Sequence, residues 1–235
     1  SGVFYLVNDK NNRSHEYAQA LHRSLVERFG NSAEKSILVA PIQVVSRGHN
    51  ILNNQGKAAI SSLYFLHRPH PRPDDLTPTI GRLNRFALQL FQQTPPADAP
   101  TTDLNARTQW MRQRATEIIR YSLDFRGGYQ MQPYELKAQF AWDMLTQLWQ
   151  TIGRGIRGGC PVFVGFVDYK FAPLSFDWHE GAPPDTGHSS ALVQVIQQLA
   201  HAMNAQRNPQ EYRVAQLLYE PFYRALCQTE GLKYG

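Results

Sequence analysis

Four short apolar runs decide most of what this chain can become: Val3-Phe4-Tyr5-Leu6-Val7, Ile37-Leu38-Val39-Ala40, Ile60-Ser61-Ser62-Leu63-Tyr64-Phe65-Leu66 and Val162-Phe163-Val164-Gly165-Phe166-Val167. Each is short, rich in β-forming residues and bounded by polar or turn-forming residues, which predicts a strand, buried in the first and last cases. Between the first two runs Ala18, Leu21, Leu25 and Phe29 recur at helical spacing, with Ser14 as the N-cap and Gly30 as the stop. Strand, helix and strand in this order predict a βαβ unit and a parallel sheet, whose ligand sites lie at the carboxyl ends of the strands.

After the third run the chain changes character. His67-Arg68-Pro69-His70-Pro71-Arg72-Pro73-Asp74-Asp75 alternates prolines into an extended, stiff and basic connector. Residues 77 to 152 then read as all-helical. One helix starts at Thr77-Pro78, carries Ile80, Leu83, Ala87 and Leu90, and stops at Pro95-Pro96. A second carries Leu104, Met111, Ala115 and Ile118, with Arg107, Arg112, Arg114 and Arg120 on its other side. A third begins near Pro133 and buries Leu136, Phe140, Met144, Leu148 and Ile152. Beyond the fourth run, Phe176 to His188 predicts a loop. Leu192, Val195, Leu199 and Met203 then mark one helix, and Val214, Leu217 and Leu218 another, with Pro221 bending or restarting the chain.

With 235 residues and 42% hydrophobic content the chain can bury a sizeable core. No run is long enough to span a bilayer and the start lacks the pattern of a secretion signal, so a cytoplasmic protein with no membrane partner is expected. Cys160 and Cys227 supply neither a disulfide framework nor zinc spacing, and no metal site is expected. The net charge of +5 suggests polyanionic partners. Its distribution is +3 over residues 1 to 67, +4 over 68 to 157 and −2 over 158 to 235.

Two polar segments stand where chemistry is expected. Ser46-Arg47-Gly48-His49-Asn50 follows the second strand. Gln150-Thr151-Ile152-Gly153-Arg154-Gly155-Ile156-Arg157-Gly158 reads as a glycine-rich bend between the third helix of the helical region and the last strand. Two permanently charged guanidinium forks on such a bend form a receptor for a phosphate group; an ordinary solvated turn is the alternative. No phosphate loop ending Gly-Lys-Ser/Thr and no Asp-Glu pair after a strand occurs, so this sequence lacks a complete nucleotide-hydrolysing engine. It also lacks a Gly-x-Ser-x-Gly elbow, and neither cysteine has a neighbouring histidine. Asp168 and Lys170 follow a strand in a nuclease-like spacing without a partner acid, and read as a surface pair.

Taken together, Ser46-Arg47-Gly48-His49-Asn50 after a strand and Gln150-x-x-Gly153-Arg154-x-x-Arg157 before another resemble two signature motifs of the C-terminal lobe of superfamily 2 helicases. The wording of residues 47 to 52 and 65 to 71 is most similar to large bacterial helicases of phage-defence islands. The resemblance implies an α/β fold: a parallel RecA-like sheet flanked by helices over residues 1–73 and 133–173, a helical insertion at 74–132 and a helical extension at 174–235. It implies ATP as cofactor, with magnesium held mainly by an N-terminal lobe of the same parent protein, and DNA or RNA as partner. Arg154 and Arg157 would reach the γ-phosphate, Arg157 as the arginine finger. Gln150, Gly153, Gly48 and Asn50 would shape the nucleotide side, and Ser46, Arg47 and Arg68 the nucleic-acid track.

Three departures qualify the match. Thr151 replaces a usual arginine, Asn50 stands where the family has aspartate, and the 102 positions from Gly48 to Gln150 far exceed the family's connection. The opening strand of such a lobe is either Val3 to Val7 or precedes residue 1, so the resemblance implies a fragment. A catalytically silent nucleic-acid-binding or scaffold module of the same shape is the competing expectation.

Overall fold

The computed structural model describes residues 2–7, 19–31, 36–46, 48–69, 77–92, 103–123, 129–130, 134–206, 209 and 212–235. In chain order the elements are β1 (Val3–Val7), β2 (Gln19–His22), a 3-10 segment (Arg23–Asn31), β3 (Ile37–Val39), the short helix α1 (Ile42–Val45), β4 (Ser62–Phe65), α2 (Thr77–Gln92), α3 (Leu104–Leu123), α4 (Tyr134–Gly155), β5 (Phe163–Phe166), α5 (Pro173–Phe176), α6 (Ala191–Ala202) and α7 (Tyr212–Cys227). Two compact units are formed, one from Ser1–Pro69 with Phe140–Gly235 and one from His70–Gln139.

The fold is mixed α/β with short parallel sheets. In the first unit β1 is the central strand of a sheet ordered β2-β1-β3, parallel to both neighbours. β4 and β5 form a second parallel sheet of their own, with Ser62 opposite Phe163 and Phe65 opposite Phe166. The four apolar runs are thus all strands. The run at 60 to 66, expected to extend the first sheet, instead joins a strand a hundred residues away.

The helix expected between the first two runs is not what the described residues adopt. Residues 19–22 extend along β1 in register Phe4 to Gln19 through Val7 to His22, and only then does the chain coil into the 3-10 segment. Ser14 and Ala18 lie outside the described residues. Spacing alone could not separate these outcomes, because the open hydrogen-bonding edge of β1 is a tertiary feature. The 3-10 segment buries Val26 completely and sets Phe29 edge-on against Phe4, with ring centroids 5.8 Å apart. Gly30 serves close approach: a Cβ there would stand 2.0 Å from the Leu52 carbonyl oxygen.

The strand at 162 to 167 was expected to be buried, yet Phe163 is 60% exposed. Only one face of the β4-β5 sheet is covered. On that face Phe65 stacks on Phe166 at 5.7 Å, and Phe166 meets Phe171 at 4.9 Å.

The core of the first unit is helical. Phe140, Met144, Leu148 and Ile152 of α4 are buried, as their spacing predicts. Leu192, Val195 and Leu199 of α6 are buried too, and Ser190 caps that helix by accepting the Val193 N–H at 3.1 Å. α7 forms where expected and runs through Pro221 without a break, but with a different face inward. Val214, Leu217 and Leu218 are exposed, whereas Ala215, Phe222 and Leu226 are buried. The aromatic contacts of α4 set this phase, with Trp149 at 6.0 Å from Tyr219 and 5.4 Å from Phe222.

In the second unit α2 and α3 form the expected helices and pack on each other. Lys137, at the buried start of α4, donates to the Gln130 carbonyl at 2.9 Å and lies over the Tyr129 ring. Burial holds its ammonium below the usual lysine range. Among the described residues no helix is long and apolar enough to cross a membrane.

Candidate functional site

The segment Gln150 to Gly158 is not the loop its glycines suggested. α4 continues through Gly155, and the chain turns only at Ile156–Gly159, with Gly158 and Gly159 in the left-handed region at φ 71° and 74°. Gly155 is required by packing, since a Cβ there would come within 2.6 Å of Val162. Gly153 faces open space. Because the helix persists, Gln150, Gly153 and Arg154 share one face of α4, and the turn that follows brings Arg157 to the same side.

That face meets the segment after β3. Pro41 opens α1, Ser46 closes it with its N–H bonded to the Ile42 carbonyl at 2.8 Å, and Gly48 turns the chain at φ 79°. Asn50 follows two residues later. Its Oδ1 accepts from Arg154 Nη1 at 3.1 Å and also from Arg157 Nη1. Arg154 Nη2 donates to the Ser46 carbonyl at 3.1 Å. The Ala58 N–H donates to the Arg157 carbonyl at 3.1 Å, which anchors the turn against the segment carrying Asn50.

Together these elements enclose an open cleft of about 460 Å³ lined by Ser46, Gly48, Trp149, Gln150, Gly153, Arg154 and Arg157. Among the described residues neither arginine makes an ion pair with a carboxylate. Partial burial, followed by repulsion from Arg157, lowers the Arg154 guanidinium from its ordinary range, while Glu27 acts in the opposite sense. Arg154 remains charged at any biological pH. Gln150 Oε1 is shut off from solvent and has no hydrogen-bond partner among the described residues.

Two participants escaped the sequence reading. Glu27, in the 3-10 segment, accepts the Asn50 N–H at 2.8 Å and lies 3.9 Å from His49 Nδ1, so it fixes the backbone that presents Asn50. Nothing in its sequence context marked it. Trp149 was legible only as the neighbour of Gln150 on an amphipathic helix.

The remaining site expectations fall elsewhere. Arg47 lies outside the described residues. Arg68 does not line the cleft; its Nε lies 3.5 Å from Asp168 Oδ2, and both side chains are largely buried. Asp168 and Lys170 are therefore not a surface pair. The Asp168 carboxylate pairs with Arg68 and accepts the Lys170 backbone N–H at 3.0 Å, capping the 3-10 turn Tyr169–Phe171. Burial pushes that carboxyl up, but the N–H groups of Lys170 and Arg68 and the charges of Arg68 and His67 outweigh it, leaving Asp168 below the usual carboxylate range.

An open cleft lined by two guanidiniums that no carboxylate pairs with among the described residues, and by a glycine that leaves room for a close approach, can receive an oxyanion. No protein-family model, curated protein or solved structure matches this chain.

Proposed function

We propose that this chain is the C-terminal motor lobe of an ATP-dependent nucleic-acid helicase or translocase, with a parallel sheet of the RecA type. Its cleft completes an ATP site whose other half belongs to a separate nucleotide-binding lobe. One observation carries the reading. Two segments that resemble separate helicase motifs, about a hundred residues apart in sequence, meet at a single atom, where Asn50 Oδ1 accepts from both Arg154 and Arg157.

The chemistry asks for this arrangement. Phosphoryl transfer is catalysed by positioning and by stabilising charge on the equatorial oxygens, and an arginine finger contributes about 10³ to 10⁵ in rate. In the proposed role Arg157, on the exposed turn, reaches the γ-phosphate. Arg154 braces the cleft through Ser46 and adds the second charge, while Gln150 and Gly153 form its floor. ATP binding would close the two lobes and hydrolysis would release them, so that nucleic acid running past Ser46 and the basic segment around it is gripped differently in the two states. Magnesium would be held mainly by the nucleotide-binding lobe.

The test is ATP hydrolysis by the parent protein, with and without single-stranded and duplex DNA and RNA. Nucleic-acid-stimulated turnover that Arg157→Ala nearly abolishes while nucleotide binding persists is the expected result. Full turnover in that variant refutes the assignment. Salt-dependent nucleic-acid binding with no ATP hydrolysis under any condition would identify the silent-module alternative instead.

A further inference from the structure

The two long helices of the second unit are packed unlike those of the first. α6 buries eight of its twelve residues, whereas no described side chain of α2 or α3 is buried. A helix in a folded protein draws most of its stability from the apolar face that it packs away, and α2 and α3 pack theirs only in part. Leu83 and Ala87 of α2, and Met111 and Ile118 of α3, form the partly covered stripes.

Beside that stripe each helix carries a second strip that faces solvent. In α2 it is Ile80, Asn84 and Leu88, one turn apart, with Ile80 54% and Leu88 55% exposed. In α3 it is Leu104, Thr108, Arg112 and Ile119, with Leu104 79% exposed. In both helices the strip lies on the same rotational side of the partly covered stripe, so in an antiparallel pair the two strips border one groove.

Charge narrows what can occupy that groove. The two helices hold six arginines, no lysine and one carboxylate, Glu117. Glu117 is bonded to Arg114 at 2.8 Å, and Asp103, just before α3, accepts the Asn105 backbone N–H at 2.9 Å. Arg85, Arg112 and Arg120 are exposed and have no carboxylate partner among the described residues. A second copy of the chain would set the same excess of arginine against itself, well within a Debye length of about 8 Å. Nucleic acid would satisfy the arginines but leave four aliphatic side chains against phosphates and water. A helix with one apolar and one acidic face satisfies both, its apolar side chains lying among Ile80, Leu88, Leu104 and Ile119 and its carboxylates opposite the arginines.

We propose that the α2–α3 pair is the docking surface for an acidic amphipathic helix of a partner protein, which completes the core that these two helices begin. The surface shares no residue with the arginine cleft, so its assignment stands whether or not the parent hydrolyses ATP. Docking also steadies the pair, because helices without buried side chains open locally at little cost and a bound third helix holds them shut.

The probe is a synthetic peptide of about 20 residues, long enough to run the length of either helix, with leucine at helical spacing on one face and glutamate on the other. Its isomer of the same composition has the leucines scattered around the helix. Fluorescence anisotropy with the 235-residue chain at physiological salt should show saturable binding of the amphipathic peptide, with the isomer about tenfold weaker or more. Hydrogen exchange of α2 and α3 amides should slow about tenfold on binding while that of α6 is unchanged. The double variants Ile80→Ser with Leu104→Ser, and Arg85→Glu with Arg112→Glu, should each weaken binding about tenfold or more. All four positions are exposed, so circular dichroism should match wild type; Arg213→Glu on α7 should leave binding unchanged. No binding of the amphipathic peptide, or equal binding of the two isomers, overturns the proposal. So does single-stranded or duplex DNA that displaces the peptide and is weakened by the arginine variant alone, which would make the surface a nucleic-acid site. A dimer in sedimentation that the Ile80→Ser, Leu104→Ser variant dissolves overturns it in favour of a second copy.

Discussion

Two arginine clusters in the first unit show opposite uses of one side chain. Arg68 leaves β4 and meets the Asp168 carboxylate just past the neighbouring strand β5, with both side chains mostly buried and the charge neutralised. Among the described residues, Arg154 at the end of α4 and Arg157 on the turn after it hydrogen-bond only to a neutral amide and a carbonyl, at the edge of an open cleft. A paired, buried arginine is committed to the fold, because removing either partner strands a charge. An arginine held by neutral acceptors keeps its charge for something else. The charge of the partner, more than the arginine itself, separates structure from function here.

The sharpest way to break this comparison is to delete one arginine from each cluster. Arg157→Ala in the parent protein should cost about 10³-fold or more in ATP turnover while leaving the melting temperature of the chain within a few degrees. Arg68→Ala should do the reverse: stability measured by urea unfolding should fall by about 2 to 3 kcal/mol, since Asp168 is left partly buried without its cation. Comparable stability losses in both variants would erase the distinction.

The two helical glycines beneath the cleft sharpen it further. Gly155→Ala drives a methyl group into Val162 and should destabilise by about 1 to 3 kcal/mol. Gly153→Ala meets nothing and should stabilise α4 by about 0.5 to 1 kcal/mol, while narrowing the cleft and weakening phosphate binding. Paired melting curves and phosphate titrations read both effects.

The smallest expected effect is a pH dependence confined to the Arg68 cluster. The Asp168 carboxyl is held below its ordinary value when folded, so above about pH 4 it is ionised in both states and contributes its full stabilisation. As pH falls further the unfolded chain binds the proton first, and that contribution is lost through the folded value. Asp168→Asn should flatten the acid limb of the stability curve, whereas Arg154→Ala should leave its shape unchanged.

Parts of both clusters were legible in the sequence. The motif residues Asn50, Arg154 and Arg157 could be picked out, and the structure brings them into contact. The helical spacing of Gln150, Gly153 and Arg154 was also present in the sequence, but two glycines disguised it as a loop, because the packing of Gly155 on Val162 that offsets the glycine penalty is invisible in one dimension. Asp168 was assigned to Lys170 by proximity, although its charge partner lies a hundred residues upstream. Glu27 offered no sequence signal, since its role arises only where the 3-10 segment crosses the backbone of Asn50.

By itself the sequence determined what local periodicity encodes: four strands, helices within residues 77 to 152, and the buried positions Phe140, Met144, Leu148 and Ile152 of α4 and Leu192, Val195 and Leu199 of α6. Only the tertiary structure decided which strands pair, that residues 19–22 join β1, which face of α7 turns inward, and which arginine meets a carboxylate. The reason is physical. Helical burial is set by neighbours three or four residues away, whereas strand pairing and charge pairing depend on groups far apart in the chain, whose positions exist only once the chain has folded.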